Sequence, residues 1–365
     1  MKVHRAQGAQ AWSALAPRWR ELADRSCTSH LFNDFDWLDA WYRAFAGEEQ
    51  TLKTYVVEDE GRAVAALPLL VSANKQARTL FNHYLGRSDL LLDPQHPQAL
   101  QAILTALRED ARYWNVLQFD QVPEDSPTFV ALCQASPGLH QHGVRNLSSP
   151  YLELSGDYDG WYSSRFSGRK RQQDRRRMRQ LQKRGGQISV LTEPEAVRAC
   201  FEDGLRVEAL GWKGDEKSAM NSRPETAAFM RDVVQRFAQR GAVRLIQVQV
   251  EDRLAAFLLG FVHKGTLYFH KTGFDPAFDA QSPGRLALLR SIEDAFEQGL
   301  QRYDFLGAPD NYKLQCSPTV RPHSTVFVYH RGAQSRLLRH VKRTFIPMAK
   351  RLGRPGEALP VSVDR

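Results

Sequence analysis

The chain has 365 residues, 42% hydrophobic and 25% charged, a balance that suits a soluble globular protein of two or three domains. Its longest apolar runs, Ala63–Val71 and Leu254–Val262, fall far short of the roughly 20 residues a membrane span needs, and its first twenty residues lack the apolar stretch of a secretory signal. Four scattered cysteines (Cys27, Cys133, Cys200 and Cys316) form no CxxC pair, which argues against a zinc site or a disulfide framework and points to a reducing cytosol. The formal net charge of +9 permits nucleic acid, a phosphorylated coenzyme or an anionic membrane as partner, and does not choose among them.

Residues 10–46 carry helical spacing. Asp34-Phe35-Asp36 stands as a cap before Trp37, Leu38, Trp41 and Phe45, a stripe that suits either a core or the aromatic wall of a pocket. Leu52–Val57 and Ala63–Val71 alternate as strands around the polar turn at Gly61. Pro68 argues that the second of them lies at an edge or a bulge. Arg78–Asn82 and Asp89–Leu92 suit short strands, Gln98–Arg112 an amphipathic helix, and Val116–Phe119 a closing strand. A short helix and a loop, Pro137-Gly138 to Pro150, then mark a boundary.

Tyr151–Leu154 can form a strand. Asp159–Arg184 has the pattern of one long helix, stopped by Gly185-Gly186, and its stretch from Arg165 holds ten Lys/Arg against the single acid Asp174. Gln187–Leu191 suits a strand, and Pro194–Leu210 and Pro224–Gln239 suit helices that begin on proline. Three antiparallel strands follow: Ala242–Val250, Leu254–Val262 and Thr266–Phe274. A loop with Ser282-Pro283-Gly284, a helix to Leu300 and a short strand at Tyr303 complete the set. Thr325–His330 suits a strand, and the basic tail Ser335–Leu352 is amphipathic.

Both halves run hairpin, strand, loop, helix, strand. The turn at Arg62 precedes the strand at Val116 by 54 residues, and the turn at Arg253 precedes Tyr303 by 50. This similarity implies a structural duplication. The expected domains are residues 1–150, residues 151–332 and a tail at residues 333–365.

The chemistry concentrates in the second half. Ser282-Pro283-Gly284-Arg285 opens a helix, where exposed amides hold anions; an ordinary capped start with proline at its first position is the plainer reading. Asp304, on a short buried strand, can orient or deprotonate an acceptor amine, with Lys313 as its partner or as an oxyanion donor; an Asp that caps the next loop is the plainer alternative. His270 has a near-neutral pKa suited to a base, and Tyr312 can protonate a leaving thiolate. His140 and His142 form an HxH with no matching carboxylate, so no metal is expected.

Five stretches of the second half carry a family resemblance: the basic Arg169–Arg184, Gly211-Trp212-Lys213-Gly214, Phe274-Asp275, Ser282-Pro283-Gly284, and Tyr303-Asp304-Phe305-Leu306-Gly307 followed by Tyr312-Lys313. Asp36-Trp37-Leu38, Leu67-Pro68-Leu69, Ser88-Asp89 and Pro123–Pro127 extend it into the first half. Together they resemble the GNAT-type acyltransferases, in particular the CelD-like group tied to exopolysaccharide and cellulose biosynthesis, over residues 25–330. The resemblance implies an α/β (α+β) chain of two tandem GNAT-like folds with mixed, mainly antiparallel sheets flanked by helices, an arrangement similar to Fem-type peptidyl transferases. It implies an acyl-CoA donor, acetyl-CoA or longer, held by Ser282, Pro283, Gly284 and Arg285. Asp304, Lys313, Tyr312 and His270 are then the catalytic candidates, and Trp212, Asp89 and Trp37 the acceptor-binding ones. The implied acceptor is a small molecule or glycan, such as an amino sugar or polysaccharide precursor. The alternatives are aminoacyl-tRNA as donor, and a non-catalytic scaffold of a polysaccharide-synthesis complex. The expected location is cytoplasmic, with the tail able to touch an anionic inner-membrane surface.

Overall fold

In the computed structural model, residues 1–134, 139–210 and 220–341 are described, together with the backbone of the short β14 (Ser362–Val363). The first stretch runs β1 (Lys2–Gln7), α1 (Gly8–Ala14), α2 (Ala16–Arg25), α3 (Phe35–Phe45), β2 (Gln50–Asp59), β3 (Arg62–Ser72), β4 (Gln76–Thr79), β5 (Leu91–Leu92), α4 (Gln98–Glu109), β6 (Val116–Pro123), α5 (Pro127–Cys133) and β7 (Leu139–Glu153). The second runs α6 (Tyr158–Arg165), α7 (Gly168–Lys183), β8 (Gln187–Leu191), α8 (Pro194–Ala209), α9 (Pro224–Gln239), β9 (Val243–Val250), β10 (Arg253–His263), β11 (Thr266–Phe274), α10 (Pro283–Glu297), β12 (Arg302–Asp304) and α11 (Asn311–Leu314). β13 (Val320–His330) and α12 (Ala333–His340) close the described chain.

Two compact units result, one of Met1–Ser148 with Arg321–Arg365 and one of Ser149–Val320. The expected second domain ran on to residue 332. Instead β13 groups with the first unit, because it pairs antiparallel with β6 from His323↔Pro123 to Tyr329↔Val116. The loop expected before Pro150 lies within the fifteen-residue strand β7, apart from Pro137 and Gly138, which lie outside the described residues. The single helix expected over residues 159–184 is two. The chain turns extended at Phe166, and Ser167 starts α7 by accepting the Lys170 amide at 3.3 Å.

The first unit's sheet is ordered β1-β2-β3-β4-β6-β13, antiparallel except for β4 beside β6. Asp34 caps α3 as expected, accepting the Asp36 amide at 2.9 Å. β3 is not an edge strand, since it lies between β2 and the pair β4 and β5. Proline is tolerated there because β5 pairs with Ala65 and Ala66 and β4 with Leu69 to Val71, so Pro68 falls in the gap between two ladders, where no amide is needed. Ala99, Leu100, Ile103 and Leu107 of α4 pack with Leu67, Leu69, Leu117 and Phe119 to form the core.

The second unit repeats the plan. Its strands run β8-β9-β10-β11-β12, and residues 151–153 of β7 pair antiparallel with β12. Only β11 and β12 are parallel. Leu286, Ala287, Leu289 and Ile292 of α10 bury against Ile246, Val248, Leu258, Leu267 and Phe269, with Phe166 and Leu181 completing this layer. On β11, a Cβ at Gly273 would come within 2.8 Å of Phe257 and 3.0 Å of the Glu208 backbone of α8, so only glycine allows this approach of helix to strand. Mixed, mainly antiparallel sheets flanked by helices are thus the observed fold class.

Candidate active site in the second unit

β11 and β12 share only three rungs: Thr266↔Arg302, Leu267↔Tyr303 and Tyr268↔Asp304. Beyond Tyr268, β11 runs on to Phe274 with β10 as its one strand partner among the described residues, because the Phe305 amide turns away to donate to the Pro150 carbonyl at 3.0 Å. The strands therefore part at Tyr268 and Asp304. His270 lies just past this point, and it is the extra residue of a β-bulge, since the register steps from Gly260↔Phe269 to Leu259↔Lys271. Bulges re-aim side chains and recur beside active sites. The His270 ring is half-buried, edge to face with Phe261 at 5.7 Å.

A short 3-10 helix, Pro276–Gln281, leads from β11 into α10. Ser282 sits at the start of α10 with φ +48°, and its side chain does not cap the helix. The serine cap of the plainer reading is therefore not formed; Ser282 Oγ donates instead to the Asp279 carbonyl at 3.4 Å. Pro283, at the first helical position, brings no amide. A Cβ built on half-exposed Gly284 meets only Phe274, at 3.8 Å. The first turn of α10 is thus a helix start without a side-chain cap, beside the end of β11, where the positive end of the helix dipole favours an anion.

Arg285, expected beside the donor phosphates, is committed elsewhere. Its Nε and Nη2 donate to the two oxygens of Asp174 on α7, at 2.7 and 2.6 Å, and its guanidinium lies 4.8 Å above the Phe166 ring. Tyr162 also donates to Asp174, at 2.9 Å. Burial would raise the Asp174 pKa, but these bonds and the adjacent cations hold it below the usual carboxylate range. The one acid in the basic stretch therefore faces inward, and it joins α7 to α10.

At the end of β12 the chain turns through left-handed Leu306 (φ +51°) and Gly307 (φ +59°). An aliphatic residue rarely takes that conformation, and two predicted catalytic residues hold it. Asp304 Oδ1 accepts the Leu306 amide at 3.0 Å, and Lys313 Nζ donates to the Leu306 carbonyl at 3.0 Å. Lys313 also donates to Ala308 O at 3.1 Å and pairs with Asp310 at 2.9 Å. Lys313 does not pair with Asp304, as had been expected. It is buried, and its three donors are committed to the turn. Tyr312, on α11, is exposed. Desolvation, followed by Asp310 and Cys316, raises its hydroxyl pKa, so the group keeps its proton at neutral pH. Cys316 is buried, and burial pushes its thiol up to about 11, which leaves it inert.

The first-unit candidates are interior groups. Trp37 is fully buried, edge to face with Phe32 at 5.3 Å. Asp89 is buried and accepts the Ser126 hydroxyl at 2.5 Å, the Thr128 hydroxyl, and the Leu90 amide at 2.8 Å. Burial pushes its pKa up to about 7 against those bonds. Trp212, the third acceptor candidate, lies outside the described residues with the rest of Gly211–Gly214. Among the described residues no cluster of three His, Cys, Asp or Glu stands ready for a metal, and no helix is long and apolar enough to cross a membrane.

The sequence signal had located the start of α10 and the end of β12. It had not revealed Asp174 as the partner of Arg285, nor the bulge at His270. Both depend on pairings between distant parts of the chain.

Comparison with known proteins bears on the fold. Residues 168–314 match the family described as Acetyltransferase (GNAT) domain. No curated protein matches the chain. Among solved structures, FemX is similar at a TM-score of 0.64 and 12% identity, covering 94% of this chain and 100% of FemX. The C-terminal domain of a putative lysylphosphatidylglycerol synthetase from Agrobacterium fabrum is similar at 0.53 and 13% identity, covering 89% and 95%. A conserved protein of unknown function from Bacteroides thetaiotaomicron is similar at 0.55 and 13% identity, covering 86% and 97%. At these identities the likeness is one of fold. Residues 168–314 are thus similar to the GNAT acetyltransferase domain, and the fold of the chain is similar to that of FemX.

Proposed function

We propose that the second unit transfers an acyl group from acyl-CoA to the amine or hydroxyl of a small-molecule or glycan acceptor, such as an amino sugar or polysaccharide precursor. The observation that carries this reading is the parting of β11 and β12 beside the uncapped first turn of α10. The gap gives an extended donor backbone amides to lie along, and the helix start gives its phosphates a positive end. Acyl-CoA supplies an activated thioester. Holding it against the acceptor accounts for a large part of the rate gain, up to roughly 7–11 kcal/mol.

In this reading Asp304 and Lys313 act by shape. They fix the turn at Leu306 that ends β12 and so keep the gap open. Tyr312, with its proton retained, is the acid for the leaving thiolate. His270, at the bulge, is the base that takes the proton of the attacking amine. The cationic helix α12, with Arg336 and Arg339, is a candidate contact for an anionic membrane surface.

Calorimetric titration of acetyl-CoA, a long-chain acyl-CoA and CoA into wild type and Gly284→Trp tests the reading. A Cβ at position 284 meets Phe274 at 3.8 Å, an ordinary van der Waals contact, so the substitution does not begin from a clash. Saturable binding that Gly284→Trp abolishes is expected, and the preferred chain length would begin to define the acyl group. Failure of all three ligands to bind wild type would reject acyl-CoA. Because the fold likeness to FemX spans both units, charged tRNA would then be titrated next, as the donor implied by the resemblance to Fem-type transferases. If that also failed, a non-catalytic scaffold would remain.

A further inference from the structure

The Arg285–Asp174 pair leaves a charge imbalance beside α10. Asp174 Oδ1 receives Arg285 Nε at 2.7 Å, and Arg177 Nη1 stands 3.6 Å from the same oxygen. Lys170, one turn before Asp174 on α7, shares this field. Desolvation first, then the nearby Arg285, lowers its pKa. Among the described residues Arg177 pairs with no carboxylate but Asp174, and Lys170 forms no ion pair. Two cations thus share one carboxylate with a third one helical turn away, and two positive charges stay uncompensated next to a helix start that is itself electropositive. Arg285 and Asp174 are nearly buried, with side chains 12% and 4% exposed, whereas Lys170 and Arg177 remain half-exposed and reachable. Like charges gathered in a partly dry site cost stability unless an anion offsets them.

We propose that Lys170 and Arg177, held in place by the Arg285–Asp174 pair, bind the 3′-phosphate of the CoA donor. The assignment rests on the acyl-CoA reading above. A phosphate monoester carries nearly two negative charges at neutral pH, which matches the two uncompensated cations. The two phosphates of the pyrophosphate bridge carry one each, a charge suited to the positive end of α10. On this view α7 takes over the role expected of Arg285 in the loop.

Binding of CoA and 3′-dephospho-CoA would be compared on wild type, Lys170→Ala, Arg177→Ala, the charge-keeping Arg177→Lys, and Arg179→Ala on the outer face of α7. Wild type should prefer CoA about tenfold, the scale of one charge-assisted hydrogen bond. Lys170→Ala and Arg177→Ala should erase most of that preference and leave 3′-dephospho-CoA binding intact, which also shows that each variant is folded. Arg177→Lys and Arg179→Ala should retain it. An unchanged preference in both alanine variants would overturn the assignment while the donor reading survived. Equal weakening of both ligands, in variants that melt like wild type, would overturn it too. If CoA fails to bind wild type, the donor reading falls first and takes this assignment with it.

Discussion

Asp89 shows how a residue chosen for function can be decided by burial. It lies inside the first unit, where two hydroxyls and an amide donate to its carboxylate, and desolvation still pushes its pKa up to about 7. In the unfolded chain the same group titrates near its ordinary value of about 3.9. Between these values the folded state holds the extra proton, so stability falls as pH rises through the window, and it levels off above about pH 7. The loss attributable to Asp89 between about pH 5 and pH 8 should be on the order of 2 kcal/mol. Asp89→Asn has the same shape and no charge to bury. Urea unfolding of both proteins at the two pH values should show the variant gaining on wild type at the higher pH. A stability difference that does not vary with pH would mean that Asp89 stays ionised throughout.

At the scale of the element, α7 divides its charges by face. Asp174 and Leu181 point inward, while Arg169, Arg175, Arg176, Arg179 and Lys183 are exposed, with no acid beside them among the described residues. Like charges one turn apart destabilise a helix by a few tenths of a kcal/mol per pair, and opposite charges stabilise it by a similar amount. Arg179→Glu replaces repulsion from Arg175 and Lys183 with attraction to both, so it should stabilise the second unit by about 1 kcal/mol. In a domain of this size that raises the melting temperature by about 2–4 °C. A fall in melting temperature would mean that Arg179 makes a stabilising contact. The basic run and its stop at Gly185 were legible in the sequence, but the break between α6 and α7 was not. No proline marks it. Its cause is the burial of Phe166 under Arg285 and against Trp161 and Tyr162, contacts made only once the fold exists. β7 was illegible for a related reason. Its residues before Pro150 are mostly polar and lack a strand's alternation, and only pairing defines it as a strand.

At the scale of the molecule, the duplication inferred from order and spacing is present in the register. β4 meets β6 in parallel over Gln76↔Val116 to Arg78↔Gln118, as β11 meets β12 over three rungs. The two gaps beyond those rungs differ. In the first unit Thr79 Oγ1 accepts the Asp120 amide at 3.1 Å, and Ser88 Oγ hydrogen bonds to both Thr79 Oγ1 and the Asp120 carbonyl. Side chains of the protein itself thus span the position where β4 and β6 part. In the second unit the register position of Asp120 is held by Leu306, whose amide is taken within its own turn by Asp304 Oδ1 at 3.0 Å, while the preceding Phe305 amide donates to Pro150. The helix starts differ as well, because α4 begins after Pro97 with no left-handed residue leading into it, whereas α10 begins on left-handed Ser282. If the gap is what receives an extended donor, only the second unit can receive one. Calorimetry should then give about one CoA per chain, and Gly284→Trp should remove all of it. Opening the first gap with Ser88→Ala should leave the stoichiometry unchanged, because that unit would still lack the helix start. Two equivalents on wild type, or one equivalent surviving Gly284→Trp, would place a donor in the first unit and end the claim that the repeat has kept the fold while losing the site.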